Sequence, residues 1–321
     1  MDLKMAKRLT LSIDRNYMKK YIPRIAGILY VCLTVSCEQK IAVSKSSLTS
    51  INPLSYTDVV YKSNSDTVLV SGFDGKITEI INHNDIIEKR LIIDLKDEIY
   101  SLAYNYSEKL IYASTLNQGI VVINEQKASV EKILPIGNKW AIDIHYNPAV
   151  NILLASGYTE SPYIWETDNE YNRVIVPEEL DKMQPKAISD QGTLYFDGFG
   201  VIGKWNIKER GQPVISKLAG RISDTDNNGR VLTISDKRYI LKNINSDSIL
   251  SENKHPDWPI YVSSKDTTVR VPVSLPLTDA LLTLKNIYSS SIDKSIRVWD
   301  IKNGELVENL LWHKATISAL S

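Results

Sequence analysis

One corner repeats along this chain. Its fullest spelling is SSIDKSIRVWD, residues 290–300, which reads as the end of one strand, a tight turn at Asp293, and a second strand closing on Trp299 and Asp300. Sliding that stretch along the sequence finds SGFDGKITEI (71–80), STLNQGIVVIN (114–124) and SGYTESPYIWE (156–166). Weaker copies are FDGFGVIGKWN (196–206), TISDKRYILK (233–242) and SSKDTTVRVPV (263–273). The turn position is held in order by Asp74, Asn117, Thr159, Phe199, Asp236, Asp266 and Asp293, at spacings of 43, 42, 40, 37, 30 and 27 residues. Ahead of Trp299, the closing position is held by Ile80, Ile123, Trp165, Trp205, Leu241 and Pro272.

Between the corners run short alternating apolar stretches such as TVLVSG, KLIYAST, NILLASG and RVLTIS, bounded by Asn, Asp, Gly, Ser and Lys. From Leu54 onward there is almost no helical periodicity, so the body is all-β. A period near 40 residues built from about four strands forms a small twisted sheet with two faces to bury. Such a sheet buries both only against copies of itself, and a ring of copies leaves only short protected edges. A hydrophobic content of 43% is enough to fill such a core.

SSIDKSIRVWD resembles the hallmark of the WD40 family of β-propellers, and the resemblance runs over roughly residues 55–321. It implies a turn Asp between the second and third strands of a blade and a Trp packed into that blade. It also implies a hydrogen-bond chain through Ser/Thr and His, for which Asp293, Trp299 and one of Ser289–Ser291 fit. No His is read ahead of that blade's first strand, so the chain is expected to be incomplete. The expected fold is a propeller of seven blades, with six as the alternative, because spacings of 30 and 27 residues sit at the limit of four strands with tight turns. Asp74, Asn117, Trp165, Trp205, Asp266, Asp293 and Trp299 are then structural corner residues. WHKATISALS (312–321) resembles the start of a further blade, although YTDVVYK (56–62) already offers the first blade its first strand. Either the two ends share a blade or the reading frame is truncated.

The N-terminus reads as an address. MKKYIPRIAGILYVCLTVSC, starting at Met18, has a basic start, an apolar run from Ile25 to Val35, and Ser36 before Cys37. These are the parts of a secretory signal peptide, and the run is shorter than the ~20 residues that span a bilayer. LTVSC resembles a bacterial lipoprotein box, which implies an acylated Cys37 at the mature N-terminus. Residues 1–17 are then an upstream extension, 18–36 the signal peptide, and 37–54 a serine- and lysine-rich tether. Cys32 and Cys37 are the two cysteines in the sequence, so the body is expected to hold without disulfides. The expected location is a bacterial envelope membrane, contacted through the lipid.

Equal numbers of basic and acidic residues hide an asymmetry. Residues 1–36 hold seven basic and two acidic side chains, which leaves the remainder at a net charge of −5. A mildly acidic body lacks the basic footprint of a nucleic-acid binder.

No Ser-His-Asp constellation, Gly-rich phosphate loop or paired-cysteine motif is legible, and His83, His145, His255 and His313 lack ligand spacing. DTDNNG (224–229) places Asp224, Asp226 and Asn228 like the opening of a calcium loop, but Ser235 stands where the closing Glu belongs. Its other reading is a hairpin turn; no cofactor is otherwise expected. Trp140, Trp258 and Trp312 fall near blade starts and are candidates for a binding rim. The expected function is a non-enzymatic module that binds or scaffolds other proteins. A carbohydrate-active or other hydrolytic propeller and the sensor half of a longer signalling protein are the alternatives. A charged funnel of three or more Asp, Glu or His side chains at the central channel would favour the enzyme, and a flat rim with exposed aromatics would favour binding.

Overall fold

The computed structural model describes residues 56–311 apart from 63–65, 84–85, 138–139, 158–160, 199 and 264–266, together with residues 316, 317 and 320. The leader, Cys37, the tether, and the positions of Thr159, Phe199, Asp266 and Trp312 lie outside the described residues.

The chain lays down antiparallel four-stranded meanders in strict sequence order. Blade one is β1 (Tyr56–Tyr61), β2 (Thr67–Gly72), β3 (Lys76–His83) and β4 (Ile86–Asp94). Blade two is β5 (Ile99–Asn105), β6 (Leu110–Thr115), β7 (Gly119–Asn124) and β8 (Ser129–Leu134). Blade three is β9 (Ala141–Asn147), β10 (Ile152–Gly157), β11 (Tyr163–Glu166) and the two-residue β12 (Asn172–Arg173). A single 3-10 turn, Glu178–Leu180, precedes blade four, which is β13 (Gln184–Ile188), β14 (Thr193–Gly198), β15 (Val201–Asn206) and β16 (Val214–Lys217). Blade five is β17 (Arg221–Thr225), β18 (Arg230–Ser235), β19 (Arg238–Asn243) and β20 (Ser248–Lys254). A two-stranded ribbon, β21 (Trp258–Ser263) and β22 (Thr268–Val273), interrupts the series. Blade six then follows as β23 (Leu277–Leu282), β24 (Asn286–Ser291), β25 (Ile296–Asp300) and β26 (Leu306–Leu310).

Six blades, not seven, are thus formed among the described residues. The corner at 263–273 belongs to the ribbon, whose strands pair only with each other. This accounts for the two short spacings. Asp236 and Asp293 are 57 residues apart, one blade period plus a ribbon-length insertion.

Burial between successive blades holds the ring. Leu69 and Ile77 of blade one pack with Ile99, Ile111 and Ile123 of blade two. Tyr112 and Val122 of blade two meet Leu153 and Trp165 of blade three. Leu154 and Ile164 then meet Leu194, Phe196 and Trp205, and Tyr195 and Ile202 meet Ile222 and Val231. Finally Leu232, Tyr239 and Leu241 of blade five meet Ile287 and Trp299 of blade six. Each fully buried side chain of this size contributes about 1.5–3 kcal/mol, so these faces outweigh any surface ion pair.

Strand register corrects one corner assignment. Ile80, Ile123, Trp165, Trp205 and Trp299 pair with Val68, Ile111, Leu153, Leu194 and Ile287. In blade five the same step pairs Val231 with Lys242, so Lys242 holds the tryptophan position and Leu241 faces the following blade. A one-residue shift along a strand moves a side chain to the opposite face.

The innermost strands share a second device. Each of β1, β5, β9, β13, β17 and β23 has a bulge near its start. A bulge admits one extra residue and re-aims the side chains around it. The residues just after the bulge are Asp58, Ser101, Asp143, Ala187, Asp224 and Asp279, and most of them point polar groups toward the axis or the next blade.

Candidate binding rim and central channel

Because every blade is an up-and-down meander, three features fall at one end of the ring. These are the turn between second and third strands, the start of the innermost strand, and the link to the next blade. Phe73 lies in the turn of blade one, Tyr100 at the bulge of blade two, and Trp140 just before β9. They form an aromatic run. Tyr100 stacks on Trp140 with ring centroids 4.3 Å apart at 24°, and Phe73 meets Tyr100 edge-on at 5.5 Å. Phe73 is exposed, and the other two are half-buried.

The ribbon leaves the ring at this same end, in the link from β20 to β23. Its register places Trp258, Ile260 and Val262 directly opposite Val273, Val271 and Val269. Directly opposed residues share a face, so one face of the ribbon consists of six apolar side chains. The other carries Pro259, Tyr261, Ser263, Thr268, Arg270 and Pro272. The apolar face is uncovered: Trp258, Ile260, Val262, Val269 and Val271 are 39–54% exposed. Of the tryptophans expected at a rim, Trp140 belongs to the aromatic run and Trp258 opens the ribbon.

Inside the ring a cavity of about 390 Å³ is lined by the innermost strands, including Asp58, Asp143, His145, Asp224 and Asp279. Most of these carboxylates are engaged as stitches between blades. Asp58 Oδ2 accepts from the Leu102 amide at 2.7 Å and from Ser101 Oγ at 2.8 Å. Asp224 Oδ2 accepts from the Leu282 amide at 2.7 Å, and Asp279 Oδ1 from Ser223 Oγ at 2.6 Å. Burial nevertheless pushes Asp224 up to about 6 against the two backbone amides that hold its charge.

Asp143 and His145 form the channel's ion pair. His145 Nε2 lies 3.0 Å from Asp143 Oδ2, and Lys186 Nζ lies 3.7 Å from the same oxygen. Burial alone would raise Asp143, but His145, Lys186 and Arg221 outweigh it and hold the carboxyl down at about 2. Burial alone would lower His145, and Asp143 raises it instead. The His145 side chain keeps 43% of its surface accessible because the channel itself admits solvent, although protein surrounds it. Lys186 also donates to Ser156 Oγ at 3.0 Å, but Ser156 is buried and out of reach of any substrate.

At DTDNNG the hydrogen bonds are those of a hairpin turn. Asp226 Oδ1 accepts the amides of Asn228 and Arg230, and its Oδ2 takes Arg230 Nε at 2.6 Å. Asp226 thus closes the turn between β17 and β18, while Asp224 stitches blade five to blade six. The two do not converge with Asn228 on an ion. No group of three or more metal-ligating side chains occurs among the described residues.

The corner of blade six holds a histidine that the sequence reading missed. His255 is buried, with Nε2 2.7 Å from Ser289 Oγ, and the same hydroxyl accepts from Trp299 Nε1 at 2.8 Å. On its other side His255 Nδ1 accepts from Arg297, which also donates to Asp293 Oδ2 at 2.9 Å. Asp293 Oδ1 closes the turn on the Ser295 amide and hydroxyl. Burial and the Arg297 charge push His255 down to about 4, so the ring is neutral. The expected chain of bonds is therefore complete, because the histidine stands before the inserted ribbon rather than directly before β23. The signal lay in spacing: His255 precedes Asp293 by 38 residues, close to one blade period.

The solved crystal structure of the WD40 β-propeller domain of Doa1 superimposes on this chain with a TM-score of 0.60 at 14% identity, covering 83% of this chain and 85% of that one. The fold is a WD40-like propeller. No protein-family model and no curated protein matches the sequence. In this WD40-like propeller the other corners are simpler. In blade two, Asp97 accepts from Asn117 Nδ2 at 2.8 Å and from its amide at 3.1 Å. In blade one, Asp74 bonds, among the described residues, only within its own turn, to Lys76. Trp165 and Trp205 are buried between blades, and Trp205 Nε1 donates to the Gly211 carbonyl at 2.9 Å.

Proposed function

We propose that this chain is a non-enzymatic, protein-binding propeller held at a bacterial envelope membrane by an acylated Cys37. The observation that carries the binding role is the ribbon, whose apolar face, with five of its six side chains exposed, stands on the rim that bears the Phe73–Tyr100–Trp140 run. A contiguous exposed apolar patch of this kind marks an interaction surface, and aromatic anchors are enriched where proteins meet. The test is quantitative capture of envelope proteins by the full chain and by an Ile260→Lys/Val271→Lys variant of equal thermal stability. The expected result is at least one protein retained by the parent and lost from the variant; identical profiles would sink this reading. For the anchor, mass spectrometry of the membrane-extracted protein should find a diacylglyceryl-modified Cys37. Recovery of an unmodified chain still carrying residues 18–36 would reject it.

A hydrolytic reading has in its favour the acidic residues and histidine that line the channel, above all the Asp143–His145 pair with Lys186, which solvent can reach. Against it, Asp58, Asp224 and Asp279 are occupied as inter-blade acceptors, and the serine beside Lys186 is buried. Activity on any glycoside or ester panel that disappears in Asp143→Asn and His145→Gln would restore this reading.

A further inference from the structure

A two-stranded hairpin is marginal in water, and it is secured by a third strand or by cover on its apolar face. β21 and β22 pair only with each other, and among the described residues none of theirs joins the apolar clusters between blades. A third strand is obstructed at both edges. Proline has no N–H, so the directly opposed Pro259 and Pro272 cannot form one of the pairs that exchange both bonds. Their backbones therefore turn outward, as do those of Tyr261, Ser263, Thr268 and Arg270, and each edge loses one ladder donor. Prolines so placed guard an edge against strand addition. What covers this ribbon packs on its face.

That face is graded along its length. At the base Trp258 opposes Val273, in the middle Ile260 opposes Val271, and near the tip Val262 opposes Val269. It is thick at one end, thin at the other, and uncharged throughout. Two copies laid face to face about a two-fold axis, with ends reversed, put Trp258 of each over Val262 of the other and Ile260 over Ile260. Thick end then meets thin end, and the two sheets keep an even spacing of about 10 Å. Such an interface is isologous, since one patch serves both copies. An extended segment of the chain laid on the face would instead bury backbone groups with no ladder to satisfy them. A second ribbon arrives with its ladder already made.

We infer that the ribbon's apolar face is a self-association site, and that its occupant is the ribbon of a second copy of this chain. This rests on the reading of the ribbon as a binding surface and names what binds there. Six residues of two adjacent strands cover about 20 Å by 10 Å, roughly a quarter of the ~800 Å² that each side of a stable complex contributes. An association of that size is weak between freely diffusing chains. Copies held on one membrane through Cys37 meet at a far higher effective concentration, which offsets the small interface.

The test is co-retention of two differently tagged full-length copies, co-expressed and extracted together in excess mild detergent. Each tag should retain the other copy. Ile260→Lys in both copies should reduce co-retention at least about tenfold, because like charges then meet at the two-fold axis. Ile260→Lys in one copy with Ile260→Glu in the other should restore it to within about threefold of the parent. Tyr261→Lys, on the opposite face, should leave it unchanged. All these variants should melt with the parent, since the ribbon lies outside the packed ring. Co-retention that survives Ile260→Lys, or that the Lys–Glu combination fails to restore, would overturn the proposal. So would parent copies that never retain each other. If those copies still capture an envelope protein that Ile260→Lys/Val271→Lys loses, the ribbon remains a binding surface and only the second copy is excluded as its occupant. Ribbon amides already protected from exchange in a lone copy would also overturn it, assigning the face to a segment of the chain itself.

Discussion

Blades one and six share the corner pattern, but they are held differently. In blade six the turn Asp293 is buried with Arg297, His255 bridges toward Ser289, and Trp299 is pinned by its indole N–H to that serine. In blade one the turn Asp74 pairs with Lys76 in solvent, and the Trp299 position is a half-buried Ile80. Blade one's buried charge is instead Glu79, paired with the half-buried Lys62 and the exposed Arg90 on the face turned to blade two. The corner's sequence pattern therefore encodes turn geometry, whereas the polar relay is built only where a neighbouring blade covers the tryptophan. Burial demands a partner for the indole N–H without fixing which: Trp299 takes Ser289 and the relay behind it, while the equally buried Trp205 takes the Gly211 carbonyl, since a buried donor without a partner carries the full cost of desolvation.

The largest effect expected from this contrast is at Trp299. Truncation to Ala removes a buried indole from the interface with Tyr239 and leaves Ser289 short of a partner. Urea denaturation should show a loss of about 3–5 kcal/mol. Ile80→Ala, at the same position of blade one, should cost under about 1.5 kcal/mol because its face is half-open. Equal losses would break the comparison. Asp293→Ala should come next, at about 3 kcal/mol, since it strands Arg297 beside His255 in the interior.

Much of this architecture was legible. The period, the strands, the turn positions at Asp74, Asn117 and Asp293, and the packing roles of Trp165, Trp205 and Trp299 follow from residue pattern, because pattern and burial share one cause. What escaped had specific reasons. His255 was masked by the ribbon, which separates it from β23 and mimics a corner at 263–273. Lys242 was missed because a gapped match to Leu241 shifts the strand by one residue, and so by one face. The channel stitches at Asp58, Asp224 and Asp279 were invisible because a bulge is set by partner strands rather than by its own residues. The ribbon's apolar face needed pairing register, since Trp258 and Val273 become neighbours only once β21 and β22 are aligned.

Acid sharpens the comparison further. His255 is held down at about 4 in the folded state, against an ordinary 6.5. Between those values the unfolded chain binds the extra proton, so folding stability contributed by this group is fully present above pH 6.5. It is lost as pH falls toward 4. The loss is on the order of 3 kcal/mol. Unfolding free energies for parent and His255→Gln should converge over that window, with the parent showing the steeper decline. Parallel pH profiles would mean that His255 does not enter the relay as a neutral ring.

The smallest effect should fall on the most conspicuous match to the repeat. Asp74 occupies the turn position of Asp293, but among the described residues its carboxylate reaches only the amide and ammonium of Lys76, both exposed. An exposed ion pair contributes about 0–1 kcal/mol, and the turn itself is secured by Gly75. That residue sits at φ +80°, where an added Cβ would come within 2.8 Å of the Asp97 carbonyl. Asp74→Ala should therefore shift stability by no more than about 0.5 kcal/mol, while Gly75→Ala in the same turn costs more than the loss of the aspartate. A larger penalty at Asp74 than at Gly75 would show that this corner relies on its carboxylate as blade six does, and would erase the distinction between the two blades.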